Sequence, residues 1–288
     1  MSMSLDKPTP AQISGLVSLA LAEDFAHQDS TSLAVVPETA QCQAQMVARA
    51  DGVVAGVDFA VEAFKQCDSK VTVQVLIHDG ERVGADEVIM FACGPARGIL
   101  GAERVALNFL QQLSGVATAT ALAVAAANGV TVLDTRKTVP GLRDVQKYAV
   151  RVGGGQNQRR NLSDELLLKE NHFALSGLDY AATVKKAVAE AQGKVVGNEA
   201  ETIDQARAAL ANRASYVLLD NFQGVHLVAA VAALRKEFPK AILEASGGYT
   251  LETLPALSEA GVDRVSMGAL THSVPALDMS LLLNTTDD

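Results

Sequence analysis

The chain has 288 residues, 49% hydrophobic and 20% charged, which fits two globular domains or one large α/β barrel and not a disordered segment. A formal charge of −9 and the absence of Trp argue against nucleic acid and anionic membranes as partners, and no uninterrupted apolar run approaches the 18 residues of a bilayer span. Three cysteines (Cys42, Cys67, Cys93) without a C-x-x-C pair speak against a disulfide framework or structural zinc and read as buried, reduced thiols of a cytoplasmic protein; the first six residues lack the basic and apolar regions of a signal peptide.

Thr9-Pro10-Ala11-Gln12 predicts a helix start, with Thr as N-cap, Pro at N1 and Gln at N3 closing a capping box; Ile13, Leu16, Val17 and Leu21 then follow helical spacing. From about residue 41 to 98 the pattern turns β-rich. Val71, Val73, Val75 and Ile77 alternate with Thr72, Gln74 and Leu76 ahead of an Asp79-Gly80 turn. A long helix is predicted over about 102–127, with Val105, Phe109, Leu110 and Leu113 on one face.

After Gly129 strand, polar tip and helix repeat. The strand-like runs end at Asp134, Lys169, Glu199, Asp220, Glu244 and Ser266, at intervals of 35, 30, 21, 24 and 22 residues, the size of βα units. Helices are predicted over 180–191, 203–211, 225–238 and 251–260. Six apolar strands that each end in a charged or hydroxyl residue point to a closed or nearly closed β/α barrel, whose chemistry gathers at the C-terminal ends of its strands. An open doubly wound sheet would not explain the polar tips.

Residues 136–169 hold eight basic and three acidic side chains, a positive island of +5 in a chain otherwise at −14, as expected of a site for a small polyanion. Arg143, Lys147 and Arg151, spaced i, i+4, i+8, read as a solvated helix face. The remaining cations sit at strand ends or in a Gly-rich loop. Arg136 and Lys137 can clamp a carboxylate or phosphate, and Lys169 is pushed toward the barrel mouth by the leucines before it. Glu199 and Asp220 can bind a metal ion or ribose hydroxyls, or stabilise a developing positive charge. Ser246-Gly247-Gly248 and the run from Gly268 to His272 and Ser273 follow late strands, where barrels bind phosphate. Gly153-Gly154-Gly155 reads as a flexible lead-in to Arg159 and not as a dinucleotide fingerprint; His27, His78 and His226 read as surface or structural residues.

Several motifs stand in order along nearly the whole chain: Gly101-Ala102-Glu103-Arg104, Asp134-Thr135-Arg136-Lys137-Thr138, the triple glycine, Lys169-Glu170-Asn171-His172, Leu219-Asp220-Asn221, Glu244-Ala245-Ser246-Gly247-Gly248 and Gly268-Ala269-Leu270-Thr271-His272-Ser273. Together they resemble the quinolinate phosphoribosyltransferase family. The resemblance implies an incomplete TIM-like α/β barrel (117–273) and an N-terminal α/β sandwich domain (1–116, completed by 274–288). It implies a cytoplasmic homodimer or higher oligomer with its active site at the subunit junction and Arg104 reaching into the neighbour's site. It implies Mg²⁺-assisted transfer of a phosphoribosyl group from phosphoribosyl pyrophosphate to quinolinate, with decarboxylation to nicotinate mononucleotide. By the same resemblance Arg104, Arg136, Arg159 and Lys169 hold the quinolinate carboxylates, and Lys137 contacts either substrate. Glu199 and Asp220 serve the ribose hydroxyls directly or through the metal, and Ser246, Gly247, Gly248, Gly268 and His272 hold the 5-phosphate.

Two positions depart from the family pattern. Gln158 stands where a histidine is usual before Arg159, and Gly197 stands where an acidic residue is usual two places before Glu199. Gln can donate a hydrogen bond but cannot become cationic, so weaker quinolinate binding is expected. Three other readings follow from the residues: a molybdenum-transport-associated paralogue of the same fold, an aldolase-type barrel using Lys169 as a Schiff base, and a non-catalytic binding protein.

Overall fold

The structure, a computed structural model, describes residues 7–285; the expectation about a signal peptide falls on residues 1–6, outside them. In chain order the elements are α1 (Pro10–Glu23), α2 (Ser30–Val35), β1 (Gln41–Ala48), β2 (Gly52–Val53), α3 (Val57–Cys67), β3 (Thr72–Val75), β4 (Arg82–Val83), β5 (Val88–Pro95) and α4 (Ala96–Ala126). There follow β6 (Thr131–Leu133), α5 (Arg143–Val152), β7 (Leu166–Leu168), α6 (Glu170–Leu175), α7 (Tyr180–Glu190), β8 (Val196–Ala200), α8 (Ile203–Ala211) and β9 (Tyr216–Asp220). The last are α9 (Gly224–Glu237), β10 (Ile242–Ser246), α10 (Pro255–Ala260), β11 (Arg264–Ser266), α11 (Ala269–His272) and β12 (Met279–Thr285). Two compact units emerge: the first takes the described residues of 1–121, 144–154 and 274–288, the second 122–143 and 155–273.

In the first unit an antiparallel sheet runs β12-β1-β5-β3, so the end of the chain pairs with its first strand, Met46 opposite Leu281. Helix α1 begins as predicted. The Gln12 amide donates to Thr9 Oγ1 (3.3 Å), the Thr9 amide donates to Gln12 Oε1 (2.9 Å), and Ile13, Val17 and Leu21 are buried. Thr9→Ala is expected to destabilise the protein by about 1 kcal/mol, read as a lower urea midpoint with an unchanged slope.

Helix α4 starts earlier than predicted, at Ala96, and by length and composition it is apolar enough to cross a bilayer, which the search for uninterrupted apolar runs missed. It is built as a core helix. Ile99, Leu107, Leu110, Leu113 and Val116 are buried, Gln111 Nε2 donates to Met279 O (2.9 Å) and Ser114 Oγ donates to Ala55 O (3.2 Å). These polar residues broke the run in the sequence because they bond the backbone of packed neighbours.

Three expectations fail in this region. Lys147 is only 3% exposed and Arg143 and Arg151 are half-buried, so α5 carries no wet basic face. The triple glycine is not a loose hinge: a Cβ at Gly153 would stand 2.3 Å from Ala117 O, and Gln156 N donates to Val132 O (2.8 Å). Of the cysteines, all free, only Cys42 is buried, while Cys67 and Cys93 are half-buried. Burial, with Asp68 and Asp24 nearby, pushes the Cys67 thiol up to about 11. Because the thiolate is the nucleophile, alkylation of Cys67 by iodoacetamide is expected to rise about tenfold per pH unit from 8 to 10 without levelling, measured on its peptide by mass spectrometry. A plateau below pH 9 would refute it.

The second unit is a six-stranded parallel sheet ordered β6-β11-β10-β9-β8-β7, with no pairing between β6 and β7 among the described residues, hence an incomplete barrel. Strands β9 and β11 and helix α8 keep their predicted bounds, and α10 is shorter than predicted. Asp179 caps α7 by accepting from Ala182 N (2.7 Å), and Thr202 caps α8 by accepting from Gln205 N (3.2 Å). The parallel registers set Ser246 opposite Asp220 and Ser266, and Ser266 opposite Leu133, so the polar tips meet at one end of the sheet.

Candidate active site

The strand tips of the second unit surround a cleft of about 960 Å³. Arg136, Lys137, Gln158, Arg159, Lys169, Glu199, Asp220, Ser246, Gly247, Gly248, Gly268 and His272 line it. Arg104 does not; it is exposed on α4, in the first unit. His172 also lines the cleft and accepts at Nδ1 from Lys169 N (3.0 Å), while His27, His78 and His226 are exposed as expected.

The loop after β6 is braced from below. Asp134 is fully buried; its carboxylate accepts from Gln158 N (2.9 Å) and Asn157 Nδ2 (2.6 Å), tying the loop that carries Gln158 and Arg159 to β6. Arg143, read from the sequence as a surface cation, donates Nε to Thr138 Oγ1 (3.1 Å) and its terminal nitrogens to Arg160 O (3.2 Å) and Arg136 O (3.4 Å). It fixes the loop that presents Arg136. Nothing in the spacing of Arg143 could have revealed this, because the partners are backbone carbonyls of a distant loop.

Arg136 is the most telling cation of the cleft. Its Nε is buried without a hydrogen-bond partner. Burial, then the like charges of Arg159 and Arg143, hold its guanidinium below the usual arginine value. A buried donor without an acceptor costs free energy, and clustered cations repel, so an anion bound there would relieve both.

Across the cleft Lys169 Nζ pairs with Glu199 Oε2 at 2.8 Å. Burial raises Glu199 above the usual carboxylate value, and the Lys169 hydrogen bond and charge oppose that rise. Tyr180 backs the same strand, its hydroxyl donating to Glu199 O (2.8 Å). Asp220 is oriented by Asn221, whose Nδ2 donates to Asp220 Oδ2 (2.7 Å). Gly247 holds φ +101°, and a Cβ there would stand 2.5 Å from Asn221 Oδ1, so only glycine lets this turn approach the Asp220 tip. Tyr249, not anticipated from sequence, closes the same turn by donating to Phe222 O (2.6 Å). Thr271 Oγ1 donates to Lys137 O (2.7 Å), joining the first and last barrel loops.

The profile of quinolinate phosphoribosyl transferase, C-terminal domain, matches residues 116–282, and that of the N-terminal domain matches 29–114. The chain belongs to the quinolinate phosphoribosyltransferase family.

It is 40% identical over 94% of its length to the probable nicotinate-nucleotide pyrophosphorylase (carboxylating) of Bacillus subtilis (strain 168), covering 93% of that protein. It is 40% identical over 91% of its length to nicotinate-nucleotide pyrophosphorylase (carboxylating) of Mycobacterium leprae, covering 94%. The solved structure of the nicotinate-nucleotide pyrophosphorylase from Francisella tularensis aligns over 99% of this chain and all of that one, with a TM-score of 0.91 and 38% identity. These relatives give no support to the transport-associated reading.

Gln158 and Gly197 each have a close neighbour within the barrel. Gln158 Nε2 donates to Glu244 Oε1 (2.8 Å). At Gly197 a Cβ would stand 2.2 Å from Tyr216 Cζ, so the tyrosine ring occupies the room that a side chain would need.

Proposed function

We infer that the chain transfers the phosphoribosyl group of phosphoribosyl pyrophosphate to quinolinate, releasing pyrophosphate, CO₂ and nicotinate mononucleotide for NAD biosynthesis. The observation that carries this reading is the self-repelling cation cluster around the partnerless Arg136 Nε, facing Glu199 and Asp220 across one cleft. A dicarboxylate and a diphosphate ester need that division of charge.

Arg136, Arg159 and Lys169 take the two ring carboxylates, with charge-assisted hydrogen bonds worth roughly 1.5–3 kcal/mol each. Lys137 stands beside them for the sugar phosphate or the pyridine acid. Ser246, Gly247, Gly248, Gly268 and His272 take the 5-phosphate. Glu199 and Asp220 hold ribose hydroxyls and face the positive charge that grows at C1 as pyrophosphate departs. The pyridine nitrogen forms the new bond to C1 as the C1–oxygen bond breaks. The ring, now a pyridinium, accepts the electron pair of the adjacent C–CO₂⁻ bond; CO₂ leaves and that carbon takes a proton.

No group of three acidic, His or Cys ligands occurs among the described residues. Two carboxylates nevertheless fit Mg²⁺, which is usually held by one or two carboxylates together with substrate phosphates. Glu199 and Asp220 would hold it, and when bound it supplies positive charge to the leaving diphosphate. Lys169 Nζ is engaged by Glu199 Oε2 at 2.8 Å, a contact that suits anion binding at this tip and gives no support to a Schiff-base role. We place the protein in the cytoplasm as a homodimer or higher oligomer whose partner supplies Arg104.

The test is release of CO₂ and nicotinate mononucleotide from quinolinate, phosphoribosyl pyrophosphate and Mg²⁺, beside a reaction with nicotinate. Turnover with quinolinate alone is expected. No turnover with either acid, from a folded protein, overturns the reading.

A further inference from the structure

Glu244 lies on β10 with no exposed surface; burial raises its carboxyl above the usual value, and the charge of Arg264 with the hydrogen bonds of Ser266 and Gln158 opposes that rise. Arg264 Nε stands 2.7 Å from Oε2, and Gln158 Nε2 donates to Oε1 at 2.8 Å. The Arg264 guanidinium lies 4.0 Å over the ring of Tyr216, and the Tyr216 hydroxyl donates to Glu165 Oε1 (2.7 Å). That ring is locked on its face and at its tip, and it fills the space above Gly197. Glu244, fully buried, is thus matched by the permanent cation of Arg264, while the half-buried Glu165 is held by the Tyr216 hydroxyl. A second cation at position 158 would have no charge to answer it, whereas a neutral amide fits.

We propose that Glu244, Arg264 and Tyr216 form a positioning unit that requires a neutral hydrogen-bond donor at residue 158. Recognition of the substrate's carboxylates is thereby left to Arg136, Arg159 and Lys169. The amide of Gln158 is oriented by Glu244 and contributes geometry instead of charge. Gly197 and Gln158, distant in sequence, are two ends of one arrangement: glycine admits the ring, the ring seats the arginine, the arginine neutralises the glutamate, and the glutamate orients the amide. The consequence for substrate binding rests on the functional reading above; the coupling inside the barrel does not.

The experiment is a double-mutant cycle on the full-length protein: wild type, Gln158→His, Arg264→Leu and the double variant, each assayed for quinolinate KM and kcat and each melted without ligand. Each single substitution is expected to raise KM by about tenfold or more, with kcat changed by less than about threefold. In the double variant the histidine replaces Arg264 as counter-ion, so KM is expected to return to within about threefold of wild type, and its melting temperature to exceed that of either single variant. Arg264→Lys keeps the cation, so Gln158→His should remain impaired beside it. The proposal is overturned if the two single effects multiply in the double variant, or if Gln158→His alone binds quinolinate as well as wild type. Absence of turnover in the wild type would sink the functional reading only. The melting cycle would then decide the coupling, with additive shifts overturning it.

Discussion

Replacing Lys169 with methionine is expected to lower kcat/KM for quinolinate by about ten- to a hundredfold and, separately, to lower the stability of the unliganded protein. Two losses are involved. The substrate forfeits one charge-assisted contact, roughly 1.5–3 kcal/mol. Glu199, whose side chain is only 11% exposed, forfeits the ammonium 2.8 Å away, and removing one partner of a buried pair costs about 3–5 kcal/mol. Lys169 is itself 40% exposed, so solvent screens part of the second loss and the lower end of that range applies. Methionine preserves the apolar stem, so the far-ultraviolet spectrum should not change. Lys169→Arg keeps the charge but presents a planar fork in place of a compact ammonium, and only partial recovery is expected. The check is steady-state kinetics with each substrate varied in turn. A loss smaller than tenfold in Lys169→Met would remove Lys169 from substrate binding.

Gly197→Glu, which inserts an acidic side chain, is expected to abolish folding. A Cβ at this position would stand 2.2 Å from Tyr216 Cζ and 2.3 Å from its hydroxyl. Tyr216 is 2% exposed and cannot swing away, since Arg264 covers its face and Glu165 holds its hydroxyl. The methyl group of Gly197→Ala alone should cost about 3 kcal/mol, at the upper end of overpacking; glutamate adds a buried carboxylate without a partner. The compensating change is specific. Tyr216→Leu removes the clashing ring atoms and should restore a cooperative urea transition to Gly197→Ala. Tyr216→Phe removes only the hydroxyl, leaves Cζ in place, and should not. Equal rescue by leucine and phenylalanine would mean that the ring is not the obstacle.

Much of the barrel and its site could be read from the chain because the information was local. The βα rhythm placed β9, β11 and α8 at their observed ends, and the parallel register brings Asp220, Ser246 and Ser266 to one edge; Glu244, expected as a tip, lies instead inside β10, opposite Arg264, because the strand runs on to Ser246. What escaped was set by partners across the fold. Lys147 has helical-surface spacing yet is buried. Arg143 spends its donors on carbonyls of the Arg136 and Arg160 loop, which no periodicity encodes. Gly197 looked like a missing carboxylate until Tyr216, on the neighbouring strand, filled the space beside it. The polar residues of α4 hid an apolar helix because their hydrogen bonds end on other elements of the same unit.

The pairing of β12 with β1 has a consequence for the order of biosynthesis. The ribosome delivers β1 early and β12 last, with all six barrel strands made in between. The first unit therefore cannot complete its sheet until the barrel strands have been made; the barrel can assemble before it. Until β12 is made, β1 keeps one side of its backbone unpaired, a template for pairing with another nascent chain. A stop codon before Met279 would make that exposure permanent. Such truncated protein should accumulate as aggregate, with its barrel residues intact in sequence.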